Sequence, residues 1–263
     1  MKLIRFINQE FPKPTYGCVI NDQVRLLNGD PFNNYTIEKT IGDLDQVKLL
    51  APCSPSKVIG LAANYAGATG VTENMKEPLI FMKPTSSICG PFDEIICPFE
   101  NIKAWGEAEL GIVIGKKTKF ASIEEGEKSI FGYLCANDVT ADNIENRDHH
   151  LARSKGADTF CPIGPWIDTN FEPREAMISC RQNGRLIRQS TLDKGIWRDG
   201  EIINFLSQWM TLEVGDIIIT GTPPRVVEKT YLNHGDVFEV EIAGLGRLKN
   251  KFLYKPENEI KSF

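Results

Sequence analysis

The stretch Trp105-Gly106-Glu107-Ala108-Glu109-Leu110-Gly111-Ile112-Val113-Ile114-Gly115 constrains this chain more than any other segment. Side chains alternate between the two faces of a β-strand, so Ala108, Leu110, Ile112 and Ile114 share one uniformly apolar face that must be buried. Glu107 and Glu109 then stand side by side on the other face, next to Gly111, which has no side chain to crowd them. Two carboxylates that close repel each other and hold raised pKa values unless a positive charge sits between them. A divalent cation removes the conflict, and oxygen-only ligands favour Mg²⁺, Mn²⁺ or Ca²⁺ over zinc. Taken alone, the segment is equally consistent with a solvated strand face whose glutamates pair with lysines.

Three further segments bear on chemistry. The apolar run Ile130-Phe131-Gly132-Tyr133-Leu134-Cys135-Ala136 ends in Asn137-Asp138-Val139-Thr140, so Asp138 is either a third ligand or a turn residue. Lys155 opens Lys155-Gly156-Ala157-Asp158-Thr159-Phe160-Cys161-Pro162-Ile163-Gly164-Pro165, where apolar and rigid residues suggest a segment held inside the fold. Gly215-Asp216-Ile217-Ile218-Ile219-Thr220-Gly221-Thr222-Pro223 is a buried strand running into a polar loop. Free N–H groups and the Thr222 hydroxyl there suit a carboxylate, as they would suit a plain strand-end turn.

The rest of the chain reads as strands in the majority, giving an α+β class with a rolled or barrel-like sheet. Short strands are expected before residue 21, one helix or two short ones over residues 37–50, and further helices near 123–129, 141–151 and 201–208. Ala51-Pro52-Cys53-Ser54-Pro55 breaks the pattern, which suggests a small N-terminal domain over residues 1–50 and a larger domain over 57–263. A formal charge of −5 gives no reason to expect nucleic acid or anionic lipid as a partner. The apolar runs are too short to cross a bilayer, and no leader peptide is visible. Seven scattered cysteines with no Cys-x-x-Cys pair imply neither a disulfide framework nor a zinc site, and fit buried thiols in a reducing cytoplasm.

Together these segments resemble the fumarylacetoacetate hydrolase family. Its Glu-x-Glu-Leu strand matches Glu107 to Leu110, and its Asn-Asp-x-(Ser/Thr)-Ala segment matches Asn137 to Ala141. The lysine segment to Pro165, an Asn-Gly stretch closing on Gln189, and the Gly-Asp strand ending at Pro223 follow in the same order, with Asn64-Tyr65 and Phe81-Met82-Lys83-Pro84 upstream. The resemblance covers residues 57–252. It implies a mixed β-sandwich roll with a small N-terminal β-containing domain, assembled as a homodimer. It also implies Mg²⁺ or Mn²⁺ on Glu107, Glu109 and Asp138, a catalytic Lys155 beside the substrate's oxygens, and substrate contacts from Thr222, Lys83 and Tyr65. The substrate class it implies is a small oxo- or diketo-acid, undergoing C–C hydrolysis, decarboxylation or tautomerisation.

The chain departs from that pattern where many members carry a His and a Glu in a lid that activates water. Ala68 and Val71 stand there, and neither moves a proton. Glu73 and Glu77 lie nearby. Ala63 and Asp142 replace arginines common in the family, and His149 and His150 are read as exposed helix residues.

Overall fold

The computed structural model describes residues 1–68 and 75–255. Strand far outweighs helix and is arranged as two sheets facing each other plus a two-stranded ribbon of Ala104–Trp105 with Thr140–Ala141. The large sheet has twelve strands, and its middle runs Lys2–Ile7, Cys161–Asp168, Ile130–Asn137, Ala108–Ile114, Ile217–Ile219, Val58–Ala62. The second sheet has five, in the order Arg185–Thr191, Met177–Gln182, Val237–Ile242, Gly246–Tyr254, Glu94–Cys97.

Strand Ala108–Ile114 is the axis of the fold, and all seven of its residues are buried. Ala108 and Leu110 pack under the second sheet with Ile178, Val240 and Phe252. Ile112 and Ile114 instead meet helix Asp199–Trp209 through Ile202, Ile203 and Leu206. The expected apolar face is thus real, but two different elements cover it. The opposite face is buried too, with Val113 against Leu3, Val58, Leu134 and Ile217. Gly111 serves that packing: a Cβ there would lie 2.4 Å from Leu134 Cδ1, so its small size makes room for leucine and not for the glutamates.

The N-terminal strands join the same sheet, since Lys2 and Leu3 pair with Asp168 and Ile167. Residues 37–50 are not helical. Tyr35–Asp43 is a largely exposed strand, followed by a single 3-10 turn at Leu44–Gln46 and strand Lys48–Leu50. Ile37, Ile41 and Leu44 have helix-like spacing, but the β-branched run Thr36, Ile37, Thr40, Ile41 pairs with strand Gln23–Gly29 instead. The helix expected over 141–151 is absent as well. Asn143, Glu145, Asn146 and His150 all take positive φ there, which no right-handed helix tolerates, and only Ala152–Lys155 is helical. Strands Met177–Gln182 and Arg185–Thr191, not anticipated, form a hairpin whose turn is Asn183-Gly184, both at positive φ. Among the described residues no helix is long and apolar enough to span a membrane. All seven cysteines are buried and unbridged.

Candidate metal centre

Antiparallel pairing delivers the acidic residues to one place. Ala108 faces Asn137 and Glu109 faces Ala136 across the central strand pair. One step before that register, Asp138 donates its N–H to the Glu107 carbonyl at 2.9 Å, while Asn137 Oδ1 accepts from Glu107 N at 3.0 Å. Glu107, Glu109 and Asp138 therefore each present a carboxylate oxygen to a common point, all within 4.8 Å of one another. Glu109 and Asp138 are each 1% exposed, so the alternative of a solvated acidic face does not hold.

Positive groups surround two of the three. Lys155 Nζ contacts Asp138, reaches Glu107 Oε2 at 3.3 Å and donates to Thr140 Oγ1 at 2.7 Å. Lys83 Nζ lies 2.6 Å from Asp138 Oδ1 and 3.1 Å from the Val139 carbonyl. Arg188 Nη2 donates to Glu107 Oε1 at 2.8 Å. Burial alone would raise the Asp138 pKa, but Lys155 and Lys83 outweigh it and hold the carboxyl below its usual range. The reverse holds at Lys155, where burial favours the neutral amine but Asp138 and Glu107 keep it protonated more firmly than a free lysine.

Glu109 is the exception. Its only polar partner among the described residues is the Gly221 N–H, at 2.6 Å from Oε2. Burial, then the neighbouring Asp138 and Glu107 charges, push its carboxyl well above the usual range. A buried carboxylate with no cation of its own, beside two others, is what a divalent ion relieves. The donor set is all oxygen and suits Mg²⁺ or Mn²⁺. Two further polar atoms are buried without a partner among the described residues, Thr222 Oγ1, next to Gly221, and Nε of Arg188, which bonds Glu107.

The other expected site residues are distributed around this centre. Lys83, 1% exposed, stands behind Asp138 as its counter-ion. Tyr65 is 2% exposed, and burial followed by the Glu109 charge raises its hydroxyl pKa. Asn64 anchors the start of the Gly-rich segment, donating to the Thr220 carbonyl at 2.7 Å and accepting from Trp197 N at 2.9 Å. Asn64, Tyr65, Leu110 and Thr220 also line a cavity of about 770 Å³ that the three carboxylates do not line. Ala68 closes a turn onto Tyr65, whereas Val71 and Glu73 lie outside the described residues. His149 and His150 are exposed, but on an irregular segment instead of a helix. Asp142 accepts from the Tyr231 hydroxyl at 2.9 Å. Sequence reasoning gave no role to Arg188, which the Asn183-Gly184 turn brings back against Glu107.

Comparison with known proteins agrees with this geometry. The profile described as fumarylacetoacetate (FAA) hydrolase C-terminal matches residues 57–253, and one described as Rv2993c-like, N-terminal matches residues 1–52. The chain belongs to the fumarylacetoacetate hydrolase family. An uncharacterized protein of Methanocaldococcus jannaschii is 41% identical over 83% of this chain and 91% of its own length. A Bos taurus protein named as a mitochondrial oxaloacetate tautomerase is 38% identical over 78% of this chain and 69% of its own. Among solved family structures, the 2-hydroxyhepta-2,4-diene-1,7-dioate isomerase of Mycobacterium marinum superposes with a TM-score of 0.87 at 31% identity, covering 98% of this chain and all of that one. The maleylpyruvate hydrolase of Sphingobium, solved with manganese(II) and pyruvate, gives 0.81 at 26% identity over 97% of this chain and all of that one.

Proposed function

We propose that this family member is a divalent-cation-dependent enzyme acting on a small oxo-acid through an enolate, with enol–keto tautomerisation or decarboxylation favoured over C–C hydrolysis. The observation that carries the reading is the convergence of Glu107, Glu109 and Asp138 within 4.8 Å, with Glu109 lacking any cation of its own. A bound Mg²⁺ or Mn²⁺ supplies the concentrated positive charge that stabilises an enolate as it develops.

The protein's own groups then have distinct tasks. Glu107, Glu109 and Asp138 hold the ion. Lys83 neutralises Asp138 from behind and keeps it ionised. Lys155, kept protonated by Asp138 and Glu107, offers N–H donors to substrate oxygens and is no base. The partnerless Thr222 hydroxyl receives the substrate's carboxylate, and Tyr65 bounds the site near Glu109. Burial excludes bulk water and strengthens each of these interactions.

Hydrolysis needs an activated water, and positioned acid–base groups contribute roughly 10²–10⁴-fold to such a step. Ala68 supplies no such group where many family members carry a histidine. The tautomerase name carried by a 38%-identical relative points the same way, while the maleylpyruvate hydrolase neighbour keeps hydrolysis as the second reading. A cytoplasmic homodimer completes the proposal. Turnover with oxaloacetate and acetylpyruvate, with Mn²⁺ and with chelator, tests it. Metal-dependent loss of the oxaloacetate enol faster than acetylpyruvate cleavage is expected. Faster cleavage of acetylpyruvate would overturn the preference.

A further inference from the structure

Two arginines stand together at the rim of the carboxylate cluster. Arg188 lies in strand Arg185–Thr191 and bridges backbone to backbone with Arg225, while Val226 donates to the Ile187 carbonyl at 2.9 Å. Arg188 is 4% exposed, and its two outer nitrogens are engaged by Glu107 and, at 2.5 Å, by the Pro223 carbonyl. Its Nε remains buried without a partner, as does the Thr222 hydroxyl one residue before Pro223. Arg225 is half-buried and makes no side-chain hydrogen bond or ion pair among the described residues. Burial and then Arg188 disfavour its charge, and Glu107 favours it.

The backbone bridge to Arg188 places Arg225 at the rim, and downstream Lys229 sits 3.9 Å over the Trp105 ring while the Tyr231 hydroxyl donates to Asp142. Charge counting sharpens the point. Three carboxylates (Glu107, Glu109, Asp138) face four cations (Lys83, Lys155, Arg188, Arg225), a balance of +1 that a divalent ion raises to +3. The enolate of a dicarboxylic oxo-acid carries −3, whereas that of a monocarboxylic one carries −2.

We propose that Arg225, beside Arg188 Nε, forms an anion subsite that selects oxo-acids bearing a second, distal carboxylate, apart from the one given to the Thr222 hydroxyl. The inference rests on the metal-centred reading above and adds a specificity-determining residue to it.

The test is calorimetric binding to chelator-treated protein reloaded with Mn²⁺. Oxalate probes the metal head alone, and 2-oxoglutarate against 2-oxopentanoate differs only by the distal carboxylate. Wild type should prefer 2-oxoglutarate. Arg225→Gln should weaken 2-oxoglutarate by about tenfold or more, the scale of one charge-assisted hydrogen bond, and leave oxalate within about twofold. Arg225→Lys should restore part of the loss and Arg225→Glu should deepen it, with melting temperatures confirming that each variant folds. A preference that survives Arg225→Gln, or equal weakening of oxalate, would overturn the subsite and leave the metal reading standing. Failure of wild type to bind oxalate at all would overturn both.

Discussion

Glu109→Gln offers the sharpest probe of the centre, because it should act in opposite directions with and without metal. The Glu109 carboxyl is buried, lies within 4.8 Å of two other carboxylates and has one N–H partner. A single like-charge pair at that distance and an effective dielectric near 20 costs about 3.5 kcal/mol. Folding therefore favours the protonated acid. A carboxyl whose folded pKa lies above its free value of 4.5 contributes stability that is fully present below that value. The contribution is lost as the pH rises through the folded value. At pH 7, two and a half pH units above 4.5, the ceiling on that loss is about 3.4 kcal/mol. Glutamine keeps the shape and the acceptor for Gly221 without the charge. With chelator at pH 7, Glu109→Gln should melt above wild type by up to about 6 °C for a chain of this length. The gap should close near pH 5. Excess Mn²⁺ should invert the order, because only wild type gains binding energy from the ion. Differential scanning calorimetry in both media decides it. A variant less stable than wild type in both, or one stabilised equally by Mn²⁺, would refute the assignment.

Other outcomes follow from the same contacts. Lys155→Met should cut turnover by at least about 10²-fold, as on losing one transition-state donor, while Mn²⁺ affinity measured by calorimetry stays the same or rises. Thr222→Val should leave the unfolding free energy unchanged within about 0.5 kcal/mol, since the hydroxyl has no partner among the described residues, yet raise KM for oxo-acids. Asp216→Ala should destabilise by about 3–5 kcal/mol in urea unfolding, because a fully buried carboxylate there gathers Ser56, Lys57 and the Glu213 N–H. Mn²⁺ binding should still release a proton at pH values above the usual carboxylate range, and cease to as pH rises further, read from calorimetry in buffers of different ionisation enthalpy, because Glu109 stays protonated there and the ion needs it ionised.

The carboxylate cluster was legible in the sequence because strand alternation fixes which residues of the 107–114 segment share a face. Register then did what periodicity could not, placing Asp138 across from Glu107. What the sequence hid were contacts between distant segments. Lys83 and Lys155 were expected beside the substrate, and only the packed fold shows both in contact with Asp138. Arg188 carried no local signal, since its meaning comes from a hairpin that returns it to Glu107 81 residues away. Gly111 was assigned the wrong neighbour, because nothing in its own strand announces Leu134. Residues 37–50 misled through an apolar spacing that suits a helix as well as an exposed strand, and residues 141–151 through turns that need positive φ without glycine.

Anomalous diffraction at the manganese edge, from crystals grown with Mn²⁺ and oxalate, tests the central claim most directly. One anomalous peak per chain, bonded to Glu107, Glu109 and Asp138 with oxalate beside it, is the predicted result. A peak elsewhere, or none among the three carboxylates, would contradict the account.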